Sequence, residues 1–230
     1  MWEGLPLLLE GAVLTIIVSL VAMLLAVVLG MVAAVMSQVR HVIPRTVVRI
    51  YVEMFRNTPL LIQLFIFYFG LPQIGISFSP FVCGLLALTL YTAAYNIEIF
   101  RSGLEAVPKG QHEAARATGL SPLQVSVHII IPQALRISFP ALGNNLVSLI
   151  KNSSLVSAIG MVELTFMAND ISFQNFRSFE IYGTAVILYV IIVLSLTRVL
   201  GSSRSESLRE THDLVGIRRD RGYQRRILDQ

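Results

Sequence analysis

Charge is scarce in this chain, at 14% Asp, Glu, Lys and Arg, where a soluble domain carries about 25%. With 54% hydrophobic residues and a mean hydropathy of +0.69, that deficit excludes a water-exposed globule. Cysteine is nearly absent. The single Cys83 lies in an apolar run and excludes both an intrachain disulfide and a thiolate metal site. His41, His112, His128 and His212 are scattered without ligand spacing, so no metal is assigned. No Gly-x4-Gly-Lys-Ser/Thr run occurs, which excludes a phosphate-binding loop of that type. No nucleophile sits at a spacing that pairs it with a base, so no catalytic site is assigned. No internal repeat of regular period is visible. The start, Met1-Trp2-Glu3-Gly4, lacks the positive region of a cleavable signal peptide, and the first apolar segment outruns a signal core. It reads as a retained membrane span.

What the chain does have is long apolar runs. About 20 apolar residues in a helix cross a bilayer core, and five segments meet that length in whole or in part: 11–36, 50–71, 80–99, 137–161 and 181–200. Polar groups interrupt the second and the fourth. Basic residues orient the set by the excess that cytoplasmic loops carry. Arg40, Arg45 and Arg49 follow the first span; Arg101, Lys109, Arg116 and Arg136 follow the third; eight arginines from Arg198 to Arg226 follow the fifth. The other side holds Glu3, Glu10, Glu163, Asp170, Glu180 and Arg177. Five spans with residues 1–10 outside and the C-terminus in the cytoplasm satisfy this bias. The net charge of +4 thus follows the membrane rather than a nucleic acid.

Three smaller readings follow. Segment 163–180 is polar and aromatic and reads as a connector with a short interfacial helix. Phe65, Phe67, Tyr68 and Phe69 read as an aromatic belt. Gly201-Ser202-Ser203 reads as a break, and residues 201–230 as a charged, poorly ordered cytoplasmic tail.

The loop 108–132 is the most informative stretch. Pro108 suits a helix start, and Gly119 suits a stop because it takes the left-handed conformation cheaply. Ser121 and Pro122 then form an N-cap and first helical residue. A second helix runs to about Ile130, where Pro132 ends or bends it. The loop can be read as a plain connector, a DNA-binding helix–turn–helix or a docking element. Glu113 and Arg116 cancel and leave no basic face for phosphates, so no nucleic acid is expected. Ala114, Ala115 and Ala117 make a low surface that fits a partner's cleft, with Glu113 offering charge.

The run Glu113-Ala114-Ala115, three residues, Gly119, nine residues, Ile129, one residue, Ile131-Pro132 resembles the E-A-A-x3-G-x9-I-x-L-P motif of ABC importer permeases, with Ile131 in place of leucine. Phe55-Arg56-Asn57-Thr58-Pro59-Leu60, Ala94 to Gly103, Pro108 to Gln111 and Lys151 to Leu155 resemble the polar amino-acid branch, whose members serve histidine-, glutamine-, arginine- or glutamate-type substrates. The resemblance covers about residues 11–200. It implies an all-α integral membrane fold, the type I ABC transporter permease with about five transmembrane helices and a cytoplasmic coupling helix. Glu113, Ala114, Ala115 and Gly119 would be the ATPase-coupling residues. The partners implied are a second permease subunit, identical or paralogous, an ABC ATPase dimer, an extracytoplasmic amino-acid-binding protein and membrane lipid. ATP and magnesium would sit on the ATPase, with no cofactor on this chain. The tail from about Ser205 departs from the family, whose members tend to stop soon after the last span.

Polar residues within spans are costly and mark pathways or helix contacts. Asn57, beside the helix-disrupting Pro59, reads either as a simple helix start or as the edge of a broken helix on a substrate path. Glu98 reads as a local ion pair with Arg101, three residues on, or as a gate. Lys151, Asn152, Ser153 and Ser154 read as a pore lining or gate, or, for Asn and Ser, as hydrogen-bonding groups across a subunit interface. A secondary transporter, a membrane-anchored regulator and a membrane enzyme are the rivals; the missing repeat, basic face and paired titratable groups argue against each in turn.

Overall fold

The computed structural model describes residues 4–39 and 41–214, with side chains described as far as residue 201. The first helix, α1 (Leu5–Ser37), holds one charge, Glu10, in 33 residues. Its two sides differ in size rather than polarity. Gly11, Thr15, Ser19, Ala22, Ala26, Gly30 and Ala34 are buried at spacings of three and four, while Leu24 and Val28 are 68% and 63% exposed. A stripe of small residues lets helix backbones approach where lipid supplies no hydrophobic drive between helices. That stripe packs chiefly against α4 (Pro80–Glu105).

The expected second span, 50–71, is two helices. One is α2 (Val42–Asn57) and the other starts at α3 (Leu60–Phe65) and continues through a π turn (Ile66–Gly70) and a 3-10 turn (Leu71–Ile74). They meet at 105°. Pro59 cannot donate a backbone hydrogen bond, and it holds Thr58 extended, at φ −108° and ψ 133°. Among the described residues four further runs are long and apolar enough to cross a membrane: Leu5–Ser37, Pro80–Glu105, Pro122–Ile159 and Ser178–Gly201. The bent pair makes a fifth if counted as one span.

After the loop helix α5 (Lys109–Ala117) comes a continuous rod. It comprises α6 (Pro122–Gln124), a π segment (Val125–Ile130), α7 (Ile131–Asn152) and a 3-10 turn (Ser153–Ile159). Of the two readings of Pro132, an end or a bend, the first is overturned: the second loop helix continues past it. The helix widens to π just before Pro132, which gives the ring the room a regular α turn denies it.

Helix α8 (Leu164–Asn175) is also more than an interfacial connector. Leu164, Ala168 and Ile171 are buried and pack with Leu8, Ala12, Ile181 and Ala185 of α1 and α9. Helix α9 (Ser178–Leu214) runs without interruption through Gly201-Ser202-Ser203. One glycine in a helix interior costs only about 1 kcal/mol, too little to stop a helix of this length. The rest of the expected tail, residues 215–230, lies outside the described residues.

The α4–α7 seam is the tightest. A Cβ on Gly103 would overlap Ser138 Oγ and lie 2.8 Å from the Ala134 carbonyl oxygen. Ser138 Oγ meanwhile donates to the Ile99 carbonyl at 3.3 Å. Gly103→Ala must push two backbones apart, and overpacking of this kind costs about 1–3 kcal/mol. We expect a lower midpoint of thermal aggregation in detergent for Gly103→Ala. Gly110→Ala, where nothing lies within 4 Å, should match wild type.

Candidate functional site

Three polar places interrupt the apolar body. The first is the loop element. Helix α5 ends with Gly119 at φ +82°, the left-handed conformation that a glycine adopts without strain. Thr118 Oγ1 donates to the Ala115 carbonyl at 2.7 Å, and Gly119 N–H donates to the Arg116 carbonyl at 3.0 Å. The next helix opens with a capping box: Gln124 N–H donates to Ser121 Oγ at 3.3 Å, and Ser121 N–H to Gln124 Oε1 at 2.9 Å. Such reciprocal caps satisfy two orphan donors and fix the angle of entry.

Ala115 is buried, packed with Val107, Val125, Ile130 and Ala134. Gln133 Nε2 adds a polar tie to Gln111 Oε1 at 3.4 Å and to the Ile129 carbonyl at 2.9 Å. The opposite side of α5 is open, with Glu113 and Ala114 exposed. Of the four loop residues picked from sequence, Ala115 thus anchors the helix, Gly119 turns the chain, and Glu113 and Ala114 face outward.

The second place is the break between α2 and α3. Gln63, only 6% exposed, spans it: its Nε2 donates to the Phe55 carbonyl at 2.9 Å and the Thr58 carbonyl at 3.0 Å. These are carbonyls that the broken helix leaves without helical partners. Its Oε1 has no partner among the described residues. Gln63 lines a cavity of about 240 Å³ with Met54, Phe55, Thr58, Ile66 and Phe67. Asn57, one residue away from this cavity wall, is exposed at the end of α2. Sequence reading missed Gln63 because one glutamine in an apolar run gives no hint that it caps a break five and eight residues back.

On the other side of the break, Glu98 bridges two helices. It accepts from Arg101 Nη2 at 2.7 Å on its own helix, and Arg56 Nη1 of α2 stands 3.8 Å away. Arg56 also lies over the Tyr95 ring, 5.1 Å from its centroid. Glu98, Arg56 and Arg101 line a cavity of about 530 Å³ between α1, α2 and α4. Neither Asn57 nor any of Lys151, Asn152, Ser153 and Ser154 lines it.

Those last four residues sit where α7 tightens into the 3-10 turn. Lys151 is exposed in the last α turn, where a cation complements the helix C-terminus. Ser153 is 1% exposed and its Oγ donates to the Ile150 carbonyl at 2.8 Å. It offers no polar atom to a cavity, contrary to its reading as pore lining. Ser154 Oγ donates to the Lys151 carbonyl at 2.8 Å. Asn152 is half-buried. Higher in α7, Asn145 Nδ2 donates to Asn96 Oδ1 of α4 at 2.9 Å.

The third place is Glu163, taken from sequence only as one charge in an outer loop. It is 1% exposed and caps α8: its Oε1 accepts from Phe166 N–H at 2.7 Å. Its Oε2 accepts from Tyr189 Oη of α9 at 2.8 Å and from Thr15 Oγ1 of α1 at 3.4 Å. Thr15 Oγ1 accepts in turn from Leu164 N–H at 3.1 Å. Burial pushes the Glu163 carboxyl above the usual carboxylate range, against the opposing pull of these hydrogen bonds.

Among the described residues no group of three or more His, Cys, Asp or Glu side chains could hold a metal ion.

A family model described as the binding-protein-dependent transport system inner membrane component matches residues 26–203. The chain is 34% identical over 201 residues to the glutamine transport system permease protein GlnP of Escherichia coli K12, covering 86% of this chain and 92% of that protein. It is 41% identical over 147 residues to the probable glutamine ABC transporter permease protein GlnM of Bacillus subtilis, covering 64% and 68%. In structure it superposes with a TM-score of 0.82 on a chain of an amino acid ABC transporter solved with histidines, at 35% identity, covering 87% of this chain and 94% of that one.

Proposed function

The chain belongs to the family of binding-protein-dependent transport system inner membrane components, and from that premise we propose that it carries a polar amino acid through the membrane. It is a type I ABC permease, a transporter subunit rather than an enzyme, and a multi-pass inner-membrane protein that works with an ATPase and a binding protein.

Polar amino acids as substrate agree with the glutamine permeases among its relatives. The observation that carries the coupling assignment is the outward face of α5, with Glu113 and Ala114 exposed on a helix anchored by buried Ala115. We infer that this face docks on the ATPase, with Gly119 setting its angle. Two permease subunits, identical or paralogous, two ATPase subunits and an extracytoplasmic binding protein complete the assembly. ATP and magnesium belong to the ATPase. The excess of basic residues in the loops after the first and third spans and after the fifth supports an N-terminus outside and a C-terminus in the cytoplasm.

For the substrate path, the break at Asn57-Thr58-Pro59 is the best candidate. The free Gln63 Oε1 accepts a hydrogen bond from the ammonium or amide group of a polar amino acid. Glu98, held by arginines from two helices, is the gate on the cytoplasmic side. Lys151, Asn152 and Ser154 remain candidates for a path completed by the second subunit; Ser153 does not.

A charge-assisted hydrogen bond contributes about 1.5–3 kcal/mol, so Gln63→Met should raise the KM for uptake by about tenfold or more. Uptake into proteoliposomes holding the whole transporter measures this. An unchanged KM would remove Gln63 from the path. The assignment as a whole is tested by gentle affinity extraction and mass spectrometry. An ATPase carrying a phosphate-binding loop should co-purify. Isolation of the chain alone, with ATP-independent transport in liposomes, would overturn the reading.

A further inference from the structure

Helix α2 has three faces, and only one of its two apolar faces is covered. At 3.6 residues per turn, Val48, Val52 and Phe55 fall together and are buried. Ile43, Val47, Ile50 and Met54, at i, i+4, i+7 and i+11, form a second ridge that is 78%, 59%, 59% and 55% exposed. Arg45, Arg49, Glu53 and Arg56 run between these faces as a charged row. That row lines the cavity of about 530 Å³ beside α1 and α4.

The orientation of α2 follows from its bend. The half-span that begins at Leu60 turns 105° from α2, so a bilayer-crossing direction for one puts the other close to the membrane plane. An apolar ridge beside a basic row, lying in that plane, is how an interfacial helix holds lipid.

The arginines are available. Arg45 has no hydrogen-bond or ion-pair partner among the described residues. Arg49 pairs only with Glu53, at 2.8 Å, with both side chains more than half exposed, and a pair so exposed holds its partner weakly. Arg56 stands beside Glu98 at 3.8 Å and Arg101 pairs with Glu98, and with Glu105 also on the wall the cavity holds four arginines against three glutamates. The excess positive charge falls at the Arg45–Arg49 end of the row, where Glu53 is the one acid on α2. A second copy of this chain docking on the same ridge would bring two such rows together and meet their repulsion; a phosphate relieves it.

We propose that α2 is a binding site for an anionic phospholipid. Its headgroup phosphate sits on Arg45 and Arg49 at the cavity wall, and its acyl chain lies along Ile43, Val47 and Ile50.

The test uses the full-length chain purified in mild detergent. Native mass spectrometry compares retained phosphatidylglycerol and phosphatidylcholine carrying the same acyl chains. Wild type should prefer the anionic headgroup. The double variant Arg45→Gln, Arg49→Gln should hold it about tenfold more weakly, since basic residues near the surface attract anionic lipid and salt screens part of that attraction. Arg45→Lys, Arg49→Lys should keep most of the preference. Equal retention of the two lipids by wild type, or undiminished retention of phosphatidylglycerol by the glutamine variant, would overturn the proposal. A photo-crosslinker at Ile43 gives an answer that does not depend on the charge variants. An adduct with the mass of lipid supports the site, and an adduct with the mass of a second copy refutes it.

Discussion

Leucine at position 163 should cost the folded protein about 3 kcal/mol or more, the largest stability loss expected from any single change outside the glycine seams. Glu163 ties together three helices at this end of the fold. It caps α8 through Phe166 N–H at 2.7 Å, holds α9 through Tyr189 Oη at 2.8 Å and reaches Thr15 Oγ1 of α1 at 3.4 Å. Leucine fills the space but accepts nothing. Phe166 N–H and the hydroxyls of Tyr189 and Thr15 would lose an acceptor in a buried place, and each buried group left without a partner costs about 1–3 kcal/mol. Tyr189 keeps a contact with Thr165 Oγ1 at 2.8 Å, which limits the total.

The conservative variant separates this clasp from a general intolerance of the site. Glu163→Gln retains an acceptor for Phe166 N–H and resembles the protonated acid. The raised Glu163 carboxyl has a definite pH consequence. A carboxyl whose folded value lies above its unfolded value stabilises the fold most fully below the unfolded value. It loses that contribution as pH rises through the folded one. Wild type should therefore lose stability relative to Glu163→Gln as pH rises through that window, while Glu163→Leu stays below both. Thermal midpoints of the purified protein across a pH series measure all three. A leucine variant that melts with wild type would show that the three helices are held by apolar packing alone.

The sequence spoke clearly where a property is local. The charge-poor run of α1, the N-cap of Ser121 with Pro122 and the turn at Gly119 each rest on residues within a few positions of one another. Errors came where a local signal was weaker than its surroundings. Gly201 looked like a stop, yet a single helix-interior glycine is a small penalty in α9. Pro132 looked like an end or a bend, yet the helix runs on past it through a π segment. The Ser153 and Ser154 hydroxyls looked unpartnered at depth, yet each donates to a backbone carbonyl one turn back, at 2.8 Å. Residues whose meaning depends on distant partners gave no signal. Glu163 meets Thr15 across 148 positions of sequence. Asn145 meets Asn96 across 49, and nothing in either neighbourhood announces the pairing.

The coupling role proposed for α5 yields the second large effect, and here the loss should fall on transport rather than on folding. Gly119 stands at φ +82° with nothing within 4 Å of an added Cβ. Space is therefore not the constraint; backbone conformation is. An L side chain in this region costs roughly 1–2 kcal/mol, and branching at Cβ makes it harsher. Gly119→Val relieves that strain most cheaply by re-aiming α5 against the capped start of α6, which swings Glu113 and Ala114 away from the docking angle proposed for them. Asparagine tolerates the same conformation. We expect ATP-driven uptake to fall at least about tenfold in Gly119→Val, the equivalent of ~1.4 kcal/mol, and to stay within about twofold of wild type in Gly119→Asn. Membrane insertion and thermal midpoint should be near normal in both, since the turn is exposed. Glu113→Lys provides an independent test. The Glu113 side chain is exposed and has no partner among the described residues, so reversing its charge can act only through another chain. Uptake should collapse while the permease itself remains intact. If Gly119→Val and Glu113→Lys both transport at the wild-type rate, α5 does not carry the stroke of the ATPase, and the transmission surface must be sought elsewhere among the cytoplasmic segments.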